Sequence, residues 1–336
     1  MAIRVAINGF GRIGRLVMRA ALEHATREIE IVGINDLGSV EINAHLLRYD
    51  SVHGRFAGEV TTGENWMDAG RGKIRVTAER DPAKLPWKEL AVDVALECTG
   101  IFTRREAAAK HLEAGAKRVI ISAPADGADF TVVMGVNHDE LNASHKVISN
   151  ASCTTNCLAP VAYVLHQGIG IERGYMTTIH SYTGDQSLQD TLHSDLRRAR
   201  AAALSLIPTS TGAARAVGLV LPALKGKLDG TAIRVPTANV SLIDFKFDAA
   251  RDTSADEVNT LMEDAAKSNR LKGIVGINKA PTVSVDFNHD PHSSTFDVTQ
   301  TQVLDNTFVR ILSWYDNEWG FSNRMVECAA YFGAMA

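Results

Sequence analysis

Two cysteines lie four residues apart in the segment NASCTTNC, residues 150–157, and could form a metal site, a disulfide or a nucleophile. A metal site would need further cysteine or histidine ligands at finger-like spacing, and the neighbouring sequence has none. A disulfide between positions i and i+4 of one helix has poor geometry. Two interpretations stay open: both thiols are buried packing residues, or one is a nucleophile. A thiol in the first turn of a helix has its thiolate stabilised by the helix dipole, which favours Cys153 over Cys157.

A nucleophilic thiol needs a base, and His180 is the best candidate among the 11 histidines. It ends the strand-like segment TTIH and precedes the polar segment SYTGDQ, so its side chain is expected at a strand end. A Cys–His pair can shift a thiol towards thiolate and can serve as acid and base. Taken alone, the position favours a structural histidine.

A glycine-rich segment near the amino terminus, GFGRIG at residues 9–14, fits the GxGxxG pattern between a predicted strand and a predicted helix. Gly9 permits a tight turn, Gly11 lets a pyrophosphate approach the backbone, and Gly14 lets helix and strand pack closely. The helix amino terminus offers N–H groups and a positive dipole end to the phosphates. Asp36 ends the next strand and is expected to bind the adenosine ribose. Its charge would repel a 2′-phosphate, so the sequence favours NAD over NADP.

The elements that must position these residues follow from the hydrophobic pattern. In the first 150 residues, apolar runs alternate with helix-like segments, which indicates a parallel, doubly wound sheet. The strand-like runs are IRVAI (3–7), IEIVGI (29–34), VDVALECTG (92–100) and RVIISAP (118–124), and the helix-like ones are LVMRAALEHA (16–25) and REAAAKHLEAG (105–115). A helix is expected at 152–167, and later strand-like segments indicate a largely antiparallel sheet: 175–182, 231–247, 282–288 and 294–316. The last 20 residues predict an amphipathic helix.

Composition narrows the class of protein. The 336 residues suffice for two domains, and 45% apolar with 22% charged residues is the profile of a soluble globular protein. A net charge of −4 gives no reason to expect nucleic acid as the main partner. No apolar run reaches the roughly 18–20 residues that span a bilayer. The amino terminus, MAIRVAINGF, does not resemble a signal peptide, so we expect a cytoplasmic protein with reduced thiols.

Together these residues resemble the phosphorylating glyceraldehyde-3-phosphate dehydrogenase family, essentially from end to end. The matching segments are INGFGRIGR (7–15), IND (34–36), YDSVHGRF (49–56), CTGIF (98–102), ISAPA (121–125), NASCTTNC (150–157), TTIHSYTGDQ (177–186), DLRRARAAA (195–203), IPTSTGAA (207–214), RVPTANVS (234–241) and WYDNEWG (314–320). So many long motifs in one order are highly specific.

The resemblance implies a role for each matching site residue. Cys153 is the nucleophile and His180 its base, while Ser152 and Thr154 flank the thiol and help to hold the substrate. Two anion sites, one for the substrate's phosphate and one for inorganic phosphate, are formed by Thr183, Arg198, Thr211, Gly212 and Arg234. Contacts with NAD come from Arg12, Ile13, Asp36, Arg80, Ser122 and Asn317, with Asn317 orienting the nicotinamide amide. No metal is implied.

The resemblance also implies a fold and an assembly. The predicted fold is an α/β Rossmann dinucleotide-binding domain at residues 1–151, completed by the C-terminal helix 317–336, plus an α+β catalytic domain at 152–316. A homotetramer is expected, with the arginine-rich loop 181–206 near a neighbouring cofactor site. The implied activity is NAD-dependent oxidation and phosphorylation of glyceraldehyde 3-phosphate.

Three competing interpretations remain. The first is an erythrose-4-phosphate dehydrogenase, because DFNHDPHS (286–293) resembles that related group and Phe321 stands where tyrosine is frequent in the family. Thr183 and the STG of 210–212 favour glyceraldehyde 3-phosphate. The second interpretation is a catalytically silent NAD-binding protein, and the third is a thiol redox sensor that uses Cys153 and Cys157.

Overall fold

A computed structural model of the chain describes residues 2–23 and 28–336. The chain forms two compact units. The amino-terminal unit runs from the amino terminus to Val132 and includes His138–Ala151 and Ser322–Ala336. The central unit comprises Val133–Asn137 and Ser152–Phe321.

The amino-terminal unit alternates strands and helices along most of its length. Its elements are β1 (Ile3–Asn8), α1 (Arg12–Glu23), β2 (Ile29–Asn35), α2 (Val40–Arg48), β3 (Tyr49–Asp50), β4 (Gly54–Arg55), β5 (Thr61–Gly63), β6 (Trp66–Asp68), β7 (Ile74–Thr77), β8 (Val94–Glu97), α3 (Arg105–Ala108), α4 (Lys110–Glu113), β9 (Arg118–Ile121), β10 (Phe130–Thr131) and β11 (Val147–Ser149). The predicted helix at 16–25 reaches two residues, His24 and Ala25, that lie outside the described residues.

The sheet of this unit is parallel except at one edge. Among the described residues its strand order is β10-β11-β9-β8-β1-β2-β7-β6-β5, and only the β7–β6 and β6–β5 pairs are antiparallel. Strands covered on both faces need nearly continuous apolar sequence, and β8 and β9 are buried at every residue. The predicted Rossmann-type sheet is confirmed.

The central unit begins with a long helix and continues mainly as strands. Its elements are α5 (Cys153–Ile169), β12 (Arg173–Ser181), β13 (Ile207–Ser210), α6 (Ala213–Val220), β14 (Leu228–Val235), β15 (Ser241–Asp248), α7 (Ala255–Lys267), β16 (Val275–Asn278), β17 (Ser294–Asp297), β18 (Gln302–Leu304) and β19 (Phe308–Tyr315), and α8 (Trp319–Gly333) follows.

The sheet of the central unit is largely antiparallel, as the sequence predicts. Its order is β13-β14-β12-β15-β19-β17-β16, with β18 beside β19. Two pairs in it, β12–β14 and β16–β17, run parallel. The parallel pairing sets His180 directly opposite Arg234, because both side chains occupy the same register position near their strand ends.

Four of the sequence-based element predictions need correction. The segment 294–316 is three strands, β17, β18 and β19. The strand expected at 282–288 is a 3-10 helix at Ser284–Phe287, because the Asp286 carboxylate accepts the Val283 N–H at 2.8 Å and closes a local turn. The segment 231–247 is two strands, since Pro236 has no N–H to continue a ladder. The helix expected at 105–115 is two short helices interrupted at Ala109.

The predicted C-terminal helix is confirmed as α8, but it is not amphipathic in the structure. From Trp319 to Ala329 every residue is buried except Glu327. A helix buried on nearly all of its faces needs apolar or fully paired side chains around its whole circumference.

Candidate functional site

The glycine segment forms the turn between β1 and α1, and each of its glycines has a different steric surrounding. Gly9 has φ +90°, and a Cβ there would lie 2.6 Å from the backbone nitrogen of Thr99. A Cβ on Gly14 would lie 2.1 Å from the carbonyl oxygen of Gly9, so a larger residue would push helix and strand apart. A Cβ on Gly11 would meet no atom within 4 Å among the described residues, so the backbone here is open to a ligand.

A cleft of about 340 Å³ opens at this turn, where the carboxyl ends of β1, β2 and β8 meet. The residues that line it are Asn8, Gly9, Gly11, Asn35, Asp36, Leu37, Glu79, Arg80, Cys98, Thr99, Ile101 and Phe102. The Asp36 carboxylate is fixed at its floor by the N–H groups of Phe10 and Gly38, each at 2.9 Å. The carboxyl end of a parallel sheet beside a helix amino terminus is where such folds bind ligands.

The other predicted cofactor residues are spread more widely. Arg80 is exposed on the cleft, and Ile13 is partly buried in the first turn of α1. Arg12 points to Asp50, and its Nη1 lies 2.7 Å from Asp50 Oδ2. Burial alone would raise the pKa of Asp50, but the hydrogen bonds from the N–H groups of His53 and Val52 and the contact with Arg12 lower it to about 2. Ser122 hydrogen-bonds the Cys98 thiol, whose pKa burial raises to about 12.

The two predicted catalytic residues are in contact in the central unit. Cys153 is the first residue of α5, and Ser152 caps this helix by accepting the Thr155 N–H at 3.0 Å. The Cys153 Sγ lies 3.6 Å from Nε2 of His180, which is the penultimate residue of β12. Nδ1 of His180 lies 2.7 Å from the Ser181 carbonyl oxygen, which only accepts, and 2.8 Å from Arg234 Nη1, which only donates, so these two contacts are compatible with either neutral tautomer. In the tautomer with the proton on Nδ1, Nε2 presents a lone pair to the thiol.

Charge and burial keep this pair neutral. His180 is only 4% exposed, and burial together with the Arg234 charge lowers its pKa to about 3. Burial raises the pKa of the Cys153 thiol, while the Arg234 charge and hydrogen bonds from Thr154 oppose that rise. The structure therefore holds a thiol beside a neutral imidazole, and His180 can accept the proton that the sulfur loses.

Cys157 has a different surrounding although it lies only one turn further along α5. It is 0% exposed, burial raises its pKa to about 12, and its thiol lies 3.3 Å from the Ser294 hydroxyl. All four cysteines of the chain are free thiols. Cys157 is therefore a small buried thiol inside α5.

Three predicted anion-binding residues are linked by hydrogen bonds. Nη1 of Arg234 lies 2.9 Å from the Ser181 carbonyl oxygen and 3.2 Å from the Thr183 hydroxyl. The Thr183 hydroxyl also donates to Asp185, and Nη1 of Arg198 lies 2.8 Å from the same carboxylate. In this structure Asp185 is therefore the anion that Thr183 and Arg198 bind. Their hydrogen bonds and positive charge lower its pKa against the effect of burial.

Thr211 and Gly212 lie at the start of α6, apart from that cluster. The Thr211 hydroxyl accepts the Ala213 N–H at 3.2 Å, and Gly212 is exposed. The Thr155 hydroxyl donates to the Ala213 carbonyl at 3.3 Å, so the amino termini of α5 and α6 are in contact. Two helix amino termini side by side favour anion binding.

Thr154 departs from the expected arrangement. Its side chain is buried, and its hydroxyl lies 2.9 Å from the hydroxyl of Tyr315, which in turn lies 2.8 Å from Thr178. The side chain is thus used inside the protein, and what remains for a ligand is the backbone of the first helical turn.

Several residues that the sequence reasoning did not single out belong to these sites. In the central unit they are Thr178, Ser181, Asp185, Ser241 and Tyr315, and in the amino-terminal unit they are Glu79, Thr99, Ile101 and Phe102. All but Glu79 lie within or directly beside motifs whose more reactive members drew attention first. Among the described residues no group of three or more metal-binding side chains occurs. No helix of the described chain has the length and apolar character needed to cross a membrane.

The arrangement can support covalent catalysis on a carbonyl carbon, with phosphates held nearby. Comparison with known proteins agrees with this chemistry. A family model described as the NAD binding domain of glyceraldehyde 3-phosphate dehydrogenase matches residues 3–105, and the C-terminal domain model of the same family matches residues 152–317.

Full-length relatives carry the same name. The chain is 66% identical over 335 residues to the glyceraldehyde-3-phosphate dehydrogenase of Xanthobacter flavus, with 100% of both chains covered. The identity to the enzyme of Cereibacter sphaeroides is also 66%, again over 100% of both chains. Glyceraldehyde-3-phosphate dehydrogenase 1 of Bacillus subtilis is 57% identical over 332 residues, which is 98% of each chain.

Proposed function

Because the chain belongs to the glyceraldehyde 3-phosphate dehydrogenase family, we infer that it catalyses the NAD-dependent oxidation and phosphorylation of glyceraldehyde 3-phosphate to 1,3-bisphosphoglycerate. The observation in the structure that supports this most directly is the 3.6 Å contact between the Cys153 thiol and Nε2 of His180. An activated thiol can form the covalent intermediate that this reaction needs.

The amino-terminal unit fits NAD as the cofactor. The open backbone at Gly11 and the amino terminus of α1 suit a pyrophosphate. We propose that Asp36 binds the adenosine ribose, with Arg12, Ile13, Arg80 and Ser122 as further contacts and Asn317 at the nicotinamide amide. NAD, when bound, supplies the acceptor for the hydride. Replacing Asp36 with alanine should narrow the ratio of NAD to NADP affinity, and an unchanged ratio would contradict the ribose role.

The protein's own residues manage the sulfur and the protons. His180 takes the thiol proton as the Cys153 sulfur bonds to the aldehyde carbon and returns it to the aldehyde oxygen, which gives a thiohemiacetal. His180 then takes the hydroxyl proton when that carbon loses a hydride and becomes the thioester. Phosphate then attacks the acyl carbon, the carbon–sulfur bond breaks, and Cys153 leaves as a thiolate. A thiolate is a good leaving group, so the energy of oxidation is kept in the acyl phosphate.

We propose that the phosphates bind at two places in the central unit. Arg234, Thr183 and Arg198 form one cluster, and Thr211 with Gly212 at the start of α6 forms the other. Because Asp185 is bound by Thr183 and Arg198, an incoming phosphate competes with this carboxylate. Arginine suits the task because its planar group binds two phosphate oxygens at once. Ser152 and the backbone of Thr154 contribute at the thiol.

Erythrose 4-phosphate is not favoured as the substrate. The relatives from Xanthobacter flavus and Cereibacter sphaeroides are named for glyceraldehyde 3-phosphate at 66% identity. The segment 286–293, which resembles the erythrose-4-phosphate enzymes, packs on the start of α8 through a stack of His289 on Trp319 with ring centroids 3.7 Å apart. Its role in the structure is therefore to support that helix.

We propose further that the enzyme is a cytoplasmic homotetramer. Within the loop 181–206, Leu188, Leu192, Leu196 and Leu204 are each at least 82% exposed. A cluster of exposed leucines marks a surface that another chain covers. Light scattering of the purified protein should give four chains per particle, and a monomer at micromolar concentration would contradict the proposal. A cytoplasmic location agrees with the need to keep Cys153 reduced, and cell fractionation would test it.

The decisive experiment compares the two neighbouring thiols. The assay is NADH formation from glyceraldehyde 3-phosphate, NAD and phosphate. We expect Cys153→Ser to abolish it, because the hydroxyl is a far weaker nucleophile, and Cys157→Ser to keep most of it. Activity that survives in Cys153→Ser would rule out the thioester route, and a higher kcat/KM for erythrose 4-phosphate would reassign the substrate. A redox-sensor role would instead require that Cys157 be accessible to oxidants, and this residue is 0% exposed.

A further inference from the structure

Two buried serines hold the side chain of Asn317. The Ser181 hydroxyl donates to Asn317 Oδ1 at 2.8 Å, and the Ser241 hydroxyl donates to the same oxygen at 2.9 Å. Ser181 is 0% exposed, Ser241 is 2% exposed and Asn317 is 5% exposed. Neither serine was among the residues that the sequence pointed to.

The protons of this cluster define which way the amide faces. Ser241 Oγ already accepts the Ser181 backbone N–H at 3.1 Å, so its own proton is directed to Asn317 Oδ1. If the amide were turned by 180°, Nδ2 would face both hydroxyls. The Ser181 hydroxyl could then donate only to Ser241 Oγ at a long 3.5 Å, and the buried Ser241 O–H would lose its acceptor. A buried donor without a partner costs about 1–3 kcal/mol. The two serines therefore select one of the two amide orientations.

The residues on both sides of Asn317 are held by hydrogen bonds to the Asp316 carboxylate. The neighbouring Asp316 caps α8, because Oδ1 accepts the N–H groups of Glu318 and Trp319 at 2.9 and 2.7 Å. Its other oxygen accepts from Asn239 Nδ2 and from the His289 N–H, each at 2.8 Å. Because its chain neighbours and its side-chain oxygen are held, Asn317 has little freedom to adapt to a ligand.

We propose that Ser181 and Ser241 are positioning residues that lock Asn317 with Nδ2 as its ligand-facing group, so that the enzyme recognises the carbonyl oxygen of the nicotinamide carboxamide. The proposal rests on the proposed contact between Asn317 and NAD. Within residues 2–23 and 28–336, none of the hydrogen bonds uses Nδ2 of Asn317, so this donor is available to a ligand.

The lock has a consequence for cofactor analogues. A free asparagine could turn to suit either end of a carboxamide, donating to its oxygen or accepting from its NH₂ group. A locked asparagine can only donate. It should therefore discriminate against thionicotinamide adenine dinucleotide, in which a weakly accepting sulfur replaces the carbonyl oxygen while the NH₂ group is kept.

The test measures equilibrium binding of NAD and of thionicotinamide adenine dinucleotide by calorimetry, without substrate. For the wild-type protein we expect the thio analogue to bind about fivefold more weakly, which corresponds to one lost hydrogen bond of about 1 kcal/mol. In Ser181→Ala/Ser241→Ala the ratio of the two dissociation constants should fall towards one, because Asn317 can turn and accept from the thioamide N–H. Each single variant should give an intermediate ratio, and these serve if the double variant does not fold.

A matched control separates positioning from general loss of structure. Ser294 and Ser313 form another buried hydroxyl pair of the same sheet, with their oxygens 2.7 Å apart. Ser294→Ala/Ser313→Ala should leave the ratio at its wild-type value, whereas a general loosening would weaken both ligands alike in either double variant. An unchanged ratio in the Ser181/Ser241 variants, with NAD binding weakened in Asn317→Ala, would overturn the lock alone. Unaltered binding of both ligands in Asn317→Ala would overturn the contact with NAD, and the lock with it.

Discussion

His111 and His180 are two buried histidines, 0% and 4% exposed, with opposite surroundings. His111 lies on α4 of the amino-terminal unit, where both ring nitrogens have protein partners. Its Nδ1 accepts from Trp87 Nε1 at 2.9 Å, and its Nε2 lies 3.0 Å from the Glu97 carboxylate. In the central unit, His180 has nitrogen or oxygen partners only at Nδ1, which lies 2.7 Å from the Ser181 carbonyl oxygen and 2.8 Å from Arg234 Nη1. Its Nε2 faces the Cys153 thiol at 3.6 Å.

The difference shows what separates a structural histidine from a chemical one. The Glu97 carboxylate that binds His111 also accepts from Asn8 and from Thr99, which line the cleft, so His111 contributes to holding the cleft's floor. Every polar atom in that cluster has a hydrogen-bond partner. A fully hydrogen-bonded network stabilises the fold and leaves no group free to react. At His180, Nε2 faces a sulfur that can release a proton and has no nitrogen or oxygen partner among the described residues, and this incomplete pairing is what permits acid–base chemistry.

The largest expected effect is on catalysis at His180. The variant His180→Asn keeps a polar side chain at the strand end but loses the base at Nε2. We expect kcat to fall by about 10²–10⁴-fold, with little change in the melting temperature. The same NADH assay and a thermal melt measure both quantities. A variant that kept wild-type kcat would show that some other group removes the thiol proton.

The second effect is on stability at His111. The variant His111→Leu leaves the Glu97 carboxyl and the Trp87 N–H without their buried partner, which should lower the free energy of unfolding by about 2–4 kcal/mol. With NAD at saturation kcat should stay near the wild-type value. The two histidine variants are each other's controls, since one should lose rate and the other stability. A His111→Leu protein with normal stability and reduced kcat would reverse the assignment.

The sequence could predict one of these histidines and not the other. His180 lies in a recognisable segment at a strand end, and its neighbours in the reaction come from motifs that the sequence displays. The partners of His111 come from 14 and 24 positions away, on different elements, so no local pattern reveals them. The same limit applies to Tyr315 and Ser241, whose roles depend on strand register. At 282–288 the strand-like sequence predicted a strand, but the Asp286 carboxylate, which accepts the N–H of Val283 three residues earlier, decided the local structure.

The third and smallest effect concerns the charge near the reactive pair. Arg234 lowers the pKa of Cys153 and also lowers the pKa of His180. A thiolate exists above the thiol pKa, so removing the cation should move its formation to higher pH. We expect Arg234→Leu to react more slowly with iodoacetamide at pH 7 and to show a pH profile of alkylation displaced to the alkaline side.

Alkylation suits this question because it needs no phosphate, which Arg234 is also proposed to bind. Arg234→Lys is the matched control, since it keeps the positive charge and should keep the profile near that of the wild type. Cys153→Ala gives the background from the other thiols. It is expected to be low because Cys157 and Cys328 are 0% exposed and because the pKa of the partly exposed Cys98 is raised to about 12. The same profile in Arg234→Leu and in the wild type would mean that the helix amino terminus, and not the arginine, stabilises the thiolate. The reactivity of the His180 site would then depend on the contact of Nε2 with the thiol alone, and the charge of Arg234 would not contribute to it.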